Sequence, residues 1–192
     1  MANNSREDQI LEATMDIIAE KTISGTGMRQ IADRVGIAQS NVHYYFKSKE
    51  DLLLAVQKRV LERFVDQRKD QLEDEGNDLS SKLDVIFRQK EDILTNTPKY
   101  EYVQQDLWLR AHVNEATKAN VKRNYRMWRG DVEKILEAHA GLDKAKRHML
   151  SLLTISLLEG MMLQYLADEE LDLAAYMDFC KRLILQLARD QS

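Results

Sequence analysis

Side chains that form hydrogen bonds are concentrated at the start and along one face of a short predicted helix. Gln39, Ser40 and Asn41 occupy its first turn, and His43 and Tyr44 follow. Gln and Asn can each form a pair of hydrogen bonds with an adenine edge, and Ser can bond several base edges. His and Tyr can donate hydrogen bonds to phosphate oxygens. These residues therefore predict recognition of nucleic acid.

Two short helices are needed to position these side chains. The first has apolar residues at the i, i+3, i+4 and i+7 spacing of a buried helical stripe, namely Met28, Ile31, Ala32 and Val35. Gly36 follows at the left-handed position that commonly ends a helix. The second helix is predicted over about residues 39–46. Two short helices joined by a turn with Gly predict a helix-turn-helix, whose second helix lies in the DNA major groove.

Three segments stand in a common register over roughly residues 9–60. They are Arg29-Gln-Ile-Ala, Val35-Gly-Ile and His43-Tyr-Tyr-Phe-Lys-Ser-Lys-Glu-Asp-Leu-Leu. Together they resemble the DNA-binding domain of the TetR family of bacterial repressors. The resemblance implies an all-α fold, a homodimer and a ligand-responsive repressor that binds double-stranded DNA.

The resemblance also implies roles for individual residues. Gln39 to Asn41 match the base-reading positions, while His43 and Tyr44 match positions that contact phosphate or flanking bases. Lys49 matches a phosphate-binding lysine, and Arg29 is a second phosphate candidate. The alternatives are ordinary solvated polar residues and, for Tyr44, packing against the first helix. The predicted DNA-binding residues are Arg29, Gln39, Ser40, Asn41, His43, Tyr44 and Lys49.

Two positions depart from the family pattern. Gly27 stands where the family more often has a Thr or Ser that caps the helix and bonds a phosphate. Ala38 stands where a capping Ser is common. Neither residue is therefore assigned a side-chain contact with DNA.

The charge of the chain is unevenly distributed. Its net charge is −4, which argues mildly against a nucleic-acid partner because duplex-binding proteins usually have a basic face. Within residues 26–49, however, basic residues stand against Asp33 alone. Those basic residues are Arg29, Arg34, Lys47 and Lys49. The helix-turn-helix is thus predicted to be locally attractive to phosphates, and the rest of the chain is acidic.

Composition restricts the class of protein. Of the 192 residues, 44% are apolar, 31% are charged and only one is Pro, which predicts an all-α protein. The single Cys180 excludes an intramolecular disulfide and fits a reducing compartment. Residues 1–6 lead directly into a charged helix start, so we expect no signal peptide and a cytoplasmic location.

The helical pattern divides the chain into two predicted domains. Residues 1–48 form a three-helix DNA-binding domain, with a first helix that begins at Ser5 and has Asp8 as its capping partner. Residues 49–192 form a helical effector-binding and dimerisation domain. A long helix from about residue 48 to 72 joins the two, so we expect a tilt at one of its ends to move the other.

The last two predicted helices have the most apolar surface. Residues 149–166 approach the length of a membrane span but contain Ser151, Thr154 and Glu159, so we expect a buried helix and no membrane partner. Residues 176–187 carry a broad apolar stripe. Monomers rarely expose apolar surfaces of that size, so we expect a homodimer formed through these two helices.

Large amphipathic side chains in the second domain are candidates for effector binding. Trp108, His112, Tyr125 and Trp128 lie on helices that we expect to face one another, and such groups commonly line ligand pockets. The alternative is that they are core residues. Glu159 interrupts an apolar run and must be paired or protonated if buried. It either meets Arg or Lys at the dimer interface or helps to bind a cationic effector.

The segment Leu-Leu-Glu-Gly, residues 157–160, extends the resemblance into the second domain. Together with the bulky residues that follow it, this segment is similar to the dimerisation helix of choline-responsive TetR-family members. This likeness is limited to a few residues. The effector itself is therefore not identified by the sequence.

No enzyme or metal motif is apparent. The histidines do not fall at metal-ligand spacing with one another or with Cys180, and neither a phosphate-binding Gly loop nor a nucleophile elbow is present. Those histidines are His43, His112, His139 and His148. We therefore expect no cofactor and no catalysis.

The sequence as a whole favours a dimeric repressor of a palindromic operator that a small-molecule effector releases. One alternative keeps the DNA-binding domain but makes the protein a ligand-independent activator or co-regulator. The other is an all-α enzyme or interaction module whose helix-turn-helix is only structural.

Overall fold

A computed structural model describes residues 5–76, 78–137 and 141–190, apart from the side chain of residue 74. Those residues form helices and no strands, which confirms the predicted all-α class. In chain order the helices are α1 (Arg6–Lys21), α2 (Met28–Val35), α3 (Gln39–Tyr45), α4 (Lys49–Asp74), α5 (Leu79–Asn96), α6 (Lys99–Arg110), α7 (Glu115–Glu137), α8 (Lys144–Ala167) and α9 (Leu173–Arg189).

Side chains cap the starts of α1 and α4, and the cap of α1 is as the sequence predicts. Ser5 Oγ accepts a hydrogen bond from the Asp8 N–H at 3.2 Å, and the Asp8 carboxylate accepts one from the Ser5 N–H at 3.2 Å. Ser48 Oγ likewise accepts from the Asp51 N–H at 3.1 Å. Because each pair satisfies N–H groups that the helix itself leaves free, these residues fix where α1 and α4 begin.

The first compact unit contains residues 5–64 and 98–122. The inward stripes of α1 to α4 provide its core, in which Ile10, Met15, Ile31, Val42 and Leu52 are fully buried. Helix α6 packs against α1, and Lys99 Nζ lies 3.0 Å from Glu12 and 2.7 Å from Asp16. This unit is larger than residues 1–48 because tertiary contacts bring α6 to α1. The division after residue 48 stays a prediction about function.

The second compact unit contains the described residues of 65–97 and 123–192. Helices α5, α8 and α9 pack on one another in pairs. Leu83, Ile86, Leu136, Leu158 and Ile184 are buried in its core. The apolar faces of α5 and α9 therefore meet in the interior.

Among the described helices, α8 is the one whose length and apolar composition would suffice to cross a membrane. Its buried positions include Met161 and the hydroxyl residues Ser151 and Thr154. Thr154 Oγ1 donates to the Leu150 carbonyl at 2.8 Å, so its hydroxyl is satisfied within the helix. Part of α8 is thus a core element of the second unit.

Candidate nucleic-acid interface and effector residues

The turn between α2 and α3 has the geometry that the sequence predicts. Gly36 adopts φ 72° and ψ 38°, a left-handed conformation that a residue with a Cβ adopts only at a steric cost. Its N–H donates to the Asp33 carbonyl at 3.3 Å, and the Ile37 N–H donates to the Ala32 carbonyl at 3.0 Å. These bonds close α2 and direct the chain into α3.

Helix α3 separates an inward face from an outward one. Val42 and the following Phe46 are buried, and they attach α3 to the core of the first unit. Gln39, Ser40 and Asn41 are all exposed at its N-terminal turn. The predicted base readers are therefore accessible to a partner, and their contact with DNA stays a prediction.

His43 and Tyr44 differ in their surroundings. His43 is half-buried, and its Nε2 lies 3.4 Å from Gln39 Nε2. Tyr44 is 75% exposed and packs edge-on against Tyr45, with the Lys47 ammonium 5.9 Å from its ring centroid. This exposure excludes the alternative that Tyr44 packs against the first helix.

The two phosphate candidates are also differently placed. Arg29 is exposed in the first turn of α2. Lys49 is half-buried, and its Nζ donates a hydrogen bond to the Ile23 carbonyl at 2.6 Å. Burial lowers the pKa of Lys49, and the charge of Arg110 lowers it further. Lys49 thus holds the segment that connects α1 to α2, and its phosphate role stays a prediction.

Caps and ion pairs modify the expected surface. Gly27 has no side chain to cap α2, but the Gln30 side-chain carbonyl accepts a hydrogen bond from the Gly27 N–H at 3.0 Å, which is the reciprocal half of a capping box. Arg34 forms two hydrogen bonds with the Glu20 carboxylate, at 2.8 and 3.1 Å, and they lower the pKa of Glu20. The charge of Arg34 is therefore shared with α1, and the local positive excess is smaller than the sequence count indicates.

Sequence reasoning missed the support that α6 gives to this surface. The Asp106 carboxylate accepts a hydrogen bond from the Ile23 N–H, and Arg110 forms an ion pair with Glu50. Ile23 is thus held on its N–H by Asp106 and on its carbonyl by Lys49. Positions 23 and 106 are 83 residues apart, so local periodicity gives no signal for this contact.

The four predicted effector residues fall into two pairs. Trp108 is 48% exposed and meets the exposed His112 edge-on, with ring centroids 5.2 Å apart, in the first unit. Tyr125 and Trp128 belong to the second unit, where they are partly buried against its core with ring centroids 6.2 Å apart. Their role in effector binding stays a prediction.

Glu159 meets a cation of its own chain. Its Oε1 lies 3.4 Å from Lys90 Nζ, and its Oε2 accepts a hydrogen bond from the Tyr125 hydroxyl at 3.0 Å. Lys90 is only 5% exposed, and its ammonium lies 5.9 Å from the Trp128 ring centroid. The Glu159 side chain is 31% exposed, and its carboxylate is paired within one subunit. Lys90 falls in the inward stripe of α5, where a lysine is unusual.

A second buried cation lies nearby in the same unit. Arg68 is 7% exposed, and its guanidinium lies 3.3 Å from Asp131 and 3.4 Å from Gln89. Burial lowers the pKa of Arg68, and Asp131 opposes that shift. The interior of this unit therefore contains charges that a purely structural core rarely includes.

Among the described residues, no group of three or more His, Cys, Asp or Glu side chains is placed to hold a metal ion. His139 lies outside the described residues. Cys180 is buried, and its burial raises the pKa of the thiol. This thiol is therefore poorly suited to act as a nucleophile.

Residues 10–56, which include the helix-turn-helix, match the family described as bacterial regulatory proteins, tetR family. This segment places the helix-turn-helix in the TetR family. The chain is also 26% identical over 116 residues to the fatty acid metabolism regulator protein of Bacillus subtilis. That alignment covers 57% of this chain and 59% of the relative. The chain spans less than two thirds of the length of the curated relatives it matches.

Solved structures of transcriptional regulators have the same fold over nearly the whole chain. A putative regulator from Saccharomonospora viridis in complex with choline has a TM-score of 0.79 at 18% identity, covering 94% of this chain and 93% of that one. FadR from Bacillus subtilis in complex with stearoyl-CoA has a TM-score of 0.78 at 19% identity, covering 92% and 96%. At these identities the likeness shows the TetR-type fold alone.

Proposed function

We propose that this TetR-family protein is a dimeric repressor that binds a palindromic operator and is released from it by a small-molecule effector. The observation that carries the proposal is the outward face of α3. Its first turn presents Gln39, Ser40 and Asn41 to solvent, while Val42 and Phe46 fix the helix to a rigid core. A helix held in this way can enter a major groove without reordering.

Within this proposal the polar residues of the helix-turn-helix have different roles in DNA binding. Gln39, Ser40 and Asn41 read base edges. His43 and Tyr44 contact phosphate or flanking bases, while Arg29 and Lys49 bind phosphates and so position the domain. Such an interface belongs in the cytoplasm, where bacterial DNA is found.

Dimerisation is inferred from the apolar surface of α8 and α9. Met149, Leu163 and Phe179 are each more than half exposed on these helices. Pairing α8 and α9 with their copies about a two-fold axis would cover such side chains in a four-helix interface. The same two-fold axis presents two recognition helices to half-sites about 34 Å apart.

Release by an effector is inferred from α4. This helix begins beside the DNA-binding residues and continues without a break to Asp74, so it belongs to both compact units. An effector bound in the domain of residues 49–192 would favour the tilt of α4 that misplaces the recognition helices. The largest possible loss of operator affinity is the factor by which the effector binds the tilted conformation more tightly than the operator-binding conformation.

Two separate effector sites are proposed as candidates at the predicted aromatic residues: Trp108 and His112 in the first unit, and Tyr125 and Trp128 in the second. Two structural neighbours contain unlike ligands, since one holds choline and the other stearoyl-CoA. Similarity to them therefore supports a ligand-binding second domain without selecting a chemical class.

The test is fluorescence anisotropy of the full chain on DNA from upstream of its own gene, in a salt series with random duplex as competitor. Specific binding about a thousandfold tighter than binding to random DNA is expected, and candidate effectors should weaken it. Equal binding to both duplexes would contradict the proposal. Specific binding that activates transcription and responds to no ligand would support a ligand-independent activator or co-regulator instead.

A further inference from the structure

The polar side chains around the buried Lys90 have a composition that selects a ligand. Lys90 comes from α5, Tyr125 and Trp128 from α7, and Glu159 from α8, all within the second compact unit. Three helices thus contribute polar atoms to one place, where the Lys90 side chain is 6% exposed and the Glu159 side chain 31% exposed. Since burying polar atoms is costly, a group of this kind calls for a functional explanation.

The negative charge in this group is already balanced by the protein. Glu159 has Lys90 on one carboxylate oxygen and the Tyr125 hydroxyl on the other. The Lys90 ammonium also lies over the Trp128 ring, where a ligand cation would bind. A cationic ligand would have to displace Lys90 and leave its buried charge without the carboxylate. These contacts therefore oppose a quaternary ammonium ligand.

Asn124 and Trp128, both on α7, each have a buried polar atom without a hydrogen-bond partner among the described residues. Trp128 Nε1 is buried and has no hydrogen-bond partner among the described residues. An indole N–H can only donate, so it calls for an acceptor. Asn124, one turn earlier on α7, has a buried Oδ1 that also has no partner in the described part of the chain. Rotation of its amide by half a turn exchanges this acceptor for two N–H donors.

The surroundings are suited to an apolar ligand body. Tyr125 and Trp128 pack against the main apolar core of the second unit, which includes Leu158 and Met162. The Met162 sulfur lies 3.7 Å from Lys90 Nζ. A ligand that reaches the donors therefore also meets aliphatic and thioether groups.

We propose that this site binds the head group of an amphiphilic carboxylate. The Lys90 ammonium and the Trp128 indole N–H donate to the carboxylate, Asn124 provides a further polar contact, and the apolar core receives the chain. The inference rests on the proposed function only in treating this ligand as the effector, because binding itself requires no DNA. Glu159 then serves to hold Lys90 in place, and the effector is an anion and not a cation.

The test is isothermal titration calorimetry of the full chain with three amphiphiles of equal chain length. Sodium decanoate carries the negative charge, decyltrimethylammonium the positive charge, and decanol none. Decanoate should bind at least about tenfold more tightly than either of the others. Equal binding of all three, tighter binding of the ammonium compound, or no binding of decanoate would overturn the proposal.

Variants assign the binding to individual groups. Lys90→Met should weaken decanoate binding at least about tenfold, and Trp128→Phe should weaken it about three- to tenfold because the ring remains while the N–H is lost. Glu159→Gln should strengthen it, since Lys90 no longer shares its charge with a carboxylate. Lys134→Met, at an exposed lysine of α7, is the control and should change nothing.

The Glu159→Gln variant keeps the test informative if Lys90→Met does not fold. A merely structural Lys90–Glu159 pair predicts weaker or unchanged decanoate binding in Glu159→Gln, and that result would overturn the proposal. Operator binding by anisotropy is measured on the same preparations. Decanoate binding without operator binding would contradict the proposed function alone, whereas operator binding without decanoate binding would contradict this inference alone.

Discussion

Lys49 Nζ donates a hydrogen bond to the backbone carbonyl of Ile23 at 2.6 Å. The same backbone residue donates its N–H to the Asp106 carboxylate. The segment between α1 and α2 is therefore fixed by one side chain from α4 and one from α6. A lysine predicted to bind phosphate is thus also part of the scaffold that carries the helix-turn-helix.

We predict that Lys49→Met and Lys47→Met have different effects. Lys49→Met should lower the free energy of unfolding by about 1 kcal/mol, because it leaves the Ile23 carbonyl without this donor, and should weaken DNA binding as well. Lys47→Met, at an exposed lysine, should change stability by less than about 0.5 kcal/mol and reduce the salt dependence of DNA binding by about one phosphate contact. Urea unfolding and anisotropy in a salt series measure both. Unchanged stability in Lys49→Met would show that its hydrogen bond contributes little.

The base-reading prediction concerns Gln39 and Asn41. The double variant Gln39→Ala, Asn41→Ala should reduce the ratio of operator to random-duplex affinity by about 10- to 1,000-fold, because each side chain contributes about 1–3 kcal/mol of base discrimination. Affinity for random duplex and thermal stability should stay the same, since both residues are exposed. Gln71→Ala, an exposed glutamine in the distal half of α4, is the matched control. An unaltered affinity ratio in the double variant would remove these residues from base readout.

The dimer prediction concerns exposed apolar residues of α8 and α9. Leu163→Glu and Phe179→Glu place charges on surfaces that are 57% and 58% exposed in one subunit. If these helices pair with their copies, each variant should shift the protein toward monomer and weaken operator binding, because like charges would be buried across the two-fold axis. Light scattering after size-exclusion chromatography measures the mass. Leu109→Glu, at an exposed residue of α6, should leave the mass unchanged, and the same result for all three variants would place the interface elsewhere.

The pH prediction concerns Lys99. Burial by itself lowers the pKa of Lys99, but hydrogen bonds with Asp16 and Glu12 outweigh burial and leave it above its ordinary value. A raised lysine pKa stabilises the fold fully below the unfolded-state value of about 10.4, and this stabilisation is lost as the pH rises through the higher folded-state value. Lys99→Met should therefore be less stable than the unsubstituted protein at neutral pH, and the difference should shrink at strongly alkaline pH.

Urea unfolding at a series of pH values measures that difference. Lys118→Met is the control, because Lys118 is an exposed lysine in the same compact unit whose partner, Glu115, lies three residues away on α7. Its stability difference should be small at every pH. A Lys99→Met difference that stays constant into alkaline pH would assign its cost to packing and not to the ion pairs.

Local features of the helix-turn-helix were predictable because their causes are local. The stripe of Met28, Ile31, Ala32 and Val35 and the left-handed Gly36 encode a helix and its end within a few residues. The caps at Ser5 and Ser48 join residues three apart. The exposure of Gln39, Ser40 and Asn41 follows from the period of α3, because Val42 has to face inward.

The partners of the charged residues were not predictable in this way. Arg34 meets Glu20 from another helix, and Lys49 meets Ile23. Lys90 meets Glu159 from a position 69 residues away. Sequence periodicity assigned Glu159 to an apolar run, but it could not identify Lys90 as the partner of Glu159.

The sequence by itself determined the helices, their ends and the outward face of α3, since hydrogen bonds and side-chain periodicity within one helix span only three or four residues. Only the tertiary structure decided which charged side chains form ion pairs and hydrogen bonds within the protein. The ion pairs and hydrogen bonds that commit Lys49, Arg34 and Lys90 depend on which helices pack together, and that packing is set by the burial of apolar faces far apart in the chain.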